Sequence, residues 1–96
     1  MRIRQLASAP DRDRTYRAGA WSRSAIDDVD GKVRGRVGLY HYSTLMATWH
    51  PDDPRGTFVP VSVGWGSVSD QGGMNQVMRQ LGVDLYYVRK GGADYV

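Results

Sequence analysis

The sequence predicts an α+β fold: a mainly antiparallel sheet of three to five strands with one short helix packed on one face. Three observations carry that expectation. Two runs, Leu39 to Trp49 and Thr57 to Val68, carry aromatic and β-branched residues and flank a proline-bearing loop. Met74, Val77, Met78 and Leu81 fall at i, i+3, i+4 and i+7, one stripe of an amphipathic helix. A length of 96 residues, with 41% hydrophobic and 24% charged residues, suits a single small globular domain.

The elements follow in order. Residues 1–17 read as a basic N-terminal arm, and 18–96 as one small domain. From Ala18 to Ile26 small and larger side chains alternate, which predicts a short strand with Trp21 as its anchor. Asp27-Asp28-Val29-Asp30-Gly31 reads as a turn, because Asp and Gly tolerate the backbone conformations turns require. Lys32 to Arg36 begins a second strand. Leu39 to Trp49 contains no Gly or Pro and reads as one continuous strand. One face would present Leu39, His41, Ser43, Leu45, Ala47 and Trp49, the other Tyr40, Tyr42, Thr44, Met46 and Thr48.

His50 to Gly56 is a loop, since its two prolines cannot continue a ladder. Thr57 to Val68 then resumes the alternation, with Val59, Val61, Val63 and Trp65 as a buried stripe, and forms a hairpin with the strand before it. Ser69-Asp70 gives a helix start and Gly82 a left-handed stop. Leu85 to Val88 is a last strand, and Gly91-Gly92 opens a frayed tail.

Composition excludes more chemistry than it suggests. The chain has no cysteine and no glutamate, so disulfides, thiolate metal sites and the H-E-x-x-H motif are all absent. No run approaches the ~20 apolar residues that cross a bilayer, and the N-terminus lacks the apolar stretch of a secretory signal. The expected location is the bacterial host cytoplasm or a virion. Positive charge is concentrated: residues 1–36 hold nine bases against five Asp, a net of +4, and residues 37–96 hold four against five, a net of −1.

His41 and His50 are the only neutral-pH bases. His41 alternates with core-facing residues and reads as a strand histidine, and His50 caps its loop. Ser43 lies two residues from His41, but no carboxylate is identified to orient the ring as a nucleophilic triad requires. Asp27, Asp28, Asp30 and Gly31 fail as a calcium loop, since alignment on Gly31 puts Ile26 and Val37 at ligand positions. Gly64-Trp65-Gly66 lacks the third glycine of a dinucleotide fingerprint, and stripe burial accounts for Trp65. Gly72 and Gly73 read as loosening the first helical turn rather than exposing an anion site. The reading is a non-enzymatic protein with no catalytic residue, no metal and no cofactor.

Two binding surfaces remain. A Tyr- and Met-rich patch of Tyr40, Tyr42, Met46, Tyr86 and Tyr87 has interface composition, favouring protein–protein association with a second copy or a host protein. The alternative is nucleic acid, contacted by Arg2, Arg4, Arg12, Arg14, Arg17, Lys32, Arg34 and Arg36.

The stretches GLYHYSTLMATWH and VGWGSVSDQGGMNQVMRQLG, with the strand between them, resemble small proteins encoded by actinobacterial phages and plasmids. An L-Y-x-Y-x-T-x-x-A strand, a hairpin partner and a Ser/Thr-rich junction into a short helix recur there in this order. The likeness spans about residues 39–82, and the junction Ser67-Val68-Ser69-Asp70-Gln71 departs from the Thr- and His-containing form. It implies a phage or mobile-element accessory protein and brings no site residues with it.

Overall fold

The computed structural model describes residues 1–26 and 35–96. The expected turn at Asp27–Gly31, the start of the strand at Lys32, and the candidate contacts Lys32 and Arg34 lie outside the described residues.

Five strands form one antiparallel meander: β1 (Tyr16–Ala18), β2 (Trp21–Ile26), β3 (Arg36–His41), β4 (Thr44–Trp49) and β5 (Val59–Pro60). A four-residue helix α1 (Pro54–Thr57), capped by the Asp53 side chain, fills the loop before β5. Helix α2 (Val68–Leu81) covers one face of the sheet, and β6 (Tyr87–Val88) pairs with β7 (Asp94–Tyr95) as a separate ribbon. The α+β class and the strand number agree with expectation.

Helix α2 forms where its stripe lies. Met74, Val77, Met78 and Leu81 are buried in one core cluster with Trp21, Val37, Leu39, Ala47 and Trp49 of the sheet. Its cap is Ser67, two residues earlier than Ser69, and Gly82 closes it in the left-handed conformation at φ 74°. Gly73 faces the sheet so closely that a Cβ there would overlap the Trp21 indole.

Three expectations are corrected. The run Leu39–Trp49 is two strands joined by a tight turn at Tyr42-Ser43, with Tyr42 at φ 55°. The turn hides in the sequence because it contains no Gly, Asn or Asp. An irregularity after Leu39 in the β3–β4 pairing sets Tyr40 opposite Leu45 and leaves Met46 unpaired. Leu45 and Met46 thereby exchange their expected faces, and Met46 enters the core.

The second correction concerns the Val59 to Trp65 stripe. The ladder with β4 covers Val59–Pro60 and ends where Val61 and Ser62 N–H both donate to the Met46 carbonyl, and Val59, Val61 and Trp65 are all exposed. Hydroxyls hold the segment that follows: Tyr87 donates to the Val63 carbonyl at 2.5 Å and Tyr95 to that of Ser62 at 2.6 Å. Burial raises both phenol pKa values, keeping them protonated as donors. Third, Gly91-Gly92 is the turn of the β6–β7 hairpin rather than the start of a frayed tail, and both residues have positive φ.

The segment read as a basic arm is packed. Ile3–Ser8 form a 3₁₀ turn against α2, with Leu6 fully buried. Arg23 of β2 holds the following loop: its buried guanidinium donates to the carbonyls of Ala9, Asp11 and Arg14 and lies 5.1 Å from the Tyr16 ring centroid. Desolvation lowers the Arg23 pKa, and Tyr16 and Asp11 oppose the shift. One of the nine bases counted in residues 1–36 thus serves an internal purpose.

Candidate functional site

The site sits where the β3–β4 turn meets the start of α2. Gly64 and Gly66 take φ 62° and 71°, conformations that favour glycine, and so turn Trp65 outward. A Cβ on Gly64 would collide with the Asp70 carboxylate, so the chain wraps that group as closely as it can. Asp70 is fully buried in the first turn of α2. One carboxylate oxygen accepts from the Trp65 and Ser67 N–H groups, both at 3.0 Å, and from the Ser67 hydroxyl at 2.8 Å. The other lies 2.7 Å from His41 Nδ1.

Burial alone would raise the Asp70 pKa. Hydrogen bonds from Ser67 N–H, His41, the Ser67 hydroxyl and Trp65 N–H outweigh it and hold the carboxyl below its usual range. The positive end of the α2 dipole favours the same ionised state. An ionised Asp70 fixes the His41 tautomer with the proton on Nδ1. The Nε2 lone pair then faces the Ser69 hydroxyl, 3.4 Å away.

Aromatic rings enclose the imidazole. Trp21 stacks beneath it at 4.2 Å, Tyr42 lies at 4.9 Å and the Trp65 edge at 5.7 Å. Tyr42 and Trp65 also meet edge to face at 5.8 Å, yet remain 67% and 63% exposed. Val68 and Ser69, at the open end of α2, are exposed too. Arg89 flanks this surface, donating from Nε to the Gly66 carbonyl at 2.9 Å.

The residues proposed from sequence separate. Of the interface set, Tyr42 is on this surface, Tyr40 is half-buried on the sheet face away from α2, and Tyr86 is exposed beside Arg55 and Arg79 in another cleft. Met46 and Tyr87 are core residues with almost no accessible surface, which removes them from any exposed patch. Of the basic set, Arg2, Arg4, Arg14 and Arg17 are exposed, and Arg12 pairs with Asp13 at 2.8 Å. Arg36 is engaged by the Thr48 hydroxyl and carbonyl and by the Thr57 carbonyl.

Sequence reasoning missed the role of Trp65, Ser69 and Asp70. The glycines on either side of Trp65 were the available signal, since a buried strand has little use for two of them. Ser43, weighed with His41, lies in the turn and is exposed. The Asp70 carboxylate, in the first turn of α2, accepts from the Trp65 and Ser67 N–H groups that precede the helix. Among the described residues, no group of three or more His, Cys, Asp or Glu gathers to hold a metal, and no helix is long and apolar enough to cross a membrane. No protein-family model, curated protein or solved structure matches the chain.

Proposed function

We propose that the protein acts by protein–protein association, with a second copy of itself or with a host protein, and that Trp65 and Tyr42 centre the contact. The observation that carries this reading is the exposure of two mutually packed aromatic rings over a fully hydrogen-bonded base. Trp, Tyr and Arg dominate binding energy at protein interfaces, and Trp65, Tyr42 and Arg89 supply all three. Held by Asp70 and His41, the rings lose little freedom on contact.

Tyr42 adds support. It occupies the first position of a two-residue hairpin turn at φ 55°, where glycine fits best and a side chain costs ~1–2 kcal/mol. A ring retained there at that cost is consistent with a use beyond the fold. The resemblance to phage and plasmid proteins supports an accessory role in a mobile element.

Light scattering and capture from nuclease-treated host extract test the proposal, with Trp65→Ala and Tyr42→Gly as variants. Tyr42→Gly suits the turn, so the fold should persist while association weakens at least ~10-fold. A chain that stays monomeric and captures nothing defeats the reading. The exposure of Arg2, Arg4, Arg14 and Arg17 supports a second reading, nucleic-acid binding through the N-terminal third. That reading predicts affinity for DNA or RNA that falls steeply with salt. No binding at low salt removes it.

A further inference from the structure

Ser69, His41 and Asp70 stand in the order that nucleophilic catalysis requires, and the binding reading uses only part of that arrangement. The carboxylate is buried and ionised, and it orients the imidazole through Nδ1 at 2.7 Å. The opposite nitrogen faces an exposed serine hydroxyl at 3.4 Å, a separation that Ser–His pairs show before substrate tightens them. The orienting carboxylate that sequence reasoning could not find is the residue next to the serine. Among the described residues the N–H groups of Val68 and Ser69 have no acceptor, because the Ser67 cap engages only Asp70 N–H and Gln71 N–H. They lie at the positive end of α2, where a developing oxyanion is favoured.

We infer that Ser69 is an acyl-accepting nucleophile and that this site hydrolyses small carboxylic esters with an apolar or aromatic group. The Ser69 Oγ would form a bond to the ester carbonyl carbon while its proton passes to His41 Nε2. The bond from that carbon to the leaving alkoxide breaks, and the imidazolium returns the proton to the alkoxide. Water, giving a proton to His41 Nε2, then bonds to the acyl carbon, the bond from that carbon to Ser69 Oγ breaks, and the imidazolium returns the proton to Oγ as the carboxylic acid leaves. Tyr42 and Trp65, both packed on the imidazole, supply apolar walls for the ester group. The inference goes beyond the association proposed above and departs from the expectation of a chain without chemistry. It does not depend on a partner, so a monomer that reacts at Ser69 supports it even if association fails.

The test is covalent labelling of the full chain with an aryl fluorophosphonate, read by intact mass and peptide mapping, beside hydrolysis of p-nitrophenyl butyrate. The expected result is one adduct per chain at Ser69, formed at least ~100-fold faster than at any other serine. Ser69 is exposed, so Ser69→Ala should fold normally and lose both the adduct and the ester hydrolysis. His41→Gln should slow both by a similar factor. Absence of an adduct at Ser69, or ester hydrolysis unchanged in Ser69→Ala, overturns the inference. A folded His41→Gln chain that labels and hydrolyses at the wild-type rate removes His41 as the base and overturns it equally.

Discussion

Two adjacent glycines show how much a single position depends on what it faces. Gly72 and Gly73 both lie in the first half of α2, where alanine is favoured over glycine by ~1 kcal/mol. A methyl on Gly72 meets nothing within 4 Å, whereas one on Gly73 would overlap the indole of Trp21. Gly72→Ala should therefore stabilise the fold by ~0.5–1 kcal/mol in denaturant unfolding. Gly73→Ala should destabilise it by ~1–3 kcal/mol, because Trp21 is held between the helix and His41 and has no room to withdraw. Equal effects at the two positions would contradict the packing described. The sequence shows two identical residues side by side, and only the opposing β-strand distinguishes them.

Among the elements, those defined by local signals were legible. Helix α2 carries a period-3.6 stripe, a Ser cap and a Gly stop, all within its own span. The β3–β4 hairpin was not, because its turn is made from Tyr42 and Ser43 and passes for strand. The valines at 59, 61 and 63 alternate as strand residues do, yet beyond Pro60 both Val61 and Ser62 N–H donate to the one Met46 carbonyl, and the Tyr87 and Tyr95 hydroxyls, 24 or more residues away, take the next carbonyls. The N-terminal elements depend in the same way on one distant side chain. Arg23→Ala should leave carbonyls of the 9–14 loop unpaired and cost ~2–4 kcal/mol, with amide exchange rising first in residues 3–18. Arg23→Lys should recover little, since a single ammonium cannot replace the guanidinium fork. Unchanged exchange in that segment would show that the Arg23 guanidinium does not hold the arm.

At the scale of the molecule, one carboxylate joins the sheet, the helix and the loop that presents Trp65. Asp70 was legible as a helix-start residue, but its partnership with His41 spans 29 positions and no local pattern encodes it. Its folded pKa lies below the usual carboxylate value of ~4, so its contribution to stability is complete above that value. The contribution is lost as pH falls through the lower, folded value. Thermal unfolding followed from pH 7 to pH 2 should show a decline confined to the region below about pH 4. Asp70→Asn should lower the melting temperature at pH 7 and flatten that acid decline. A variant with the wild-type acid profile would mean that other groups govern it.

The exposed Trp65–Tyr42 surface is the proposed contact of this protein with another. Parallel capture experiments with the wild-type chain and the Trp65→Ala chain, scored for self-association and for host protein after nuclease treatment, test it most directly. The expected result is a stoichiometric partner on the wild type and a loss of ~30-fold in affinity, about 2 kcal/mol, on the variant. A partner retained equally by both chains, or by neither, would contradict it.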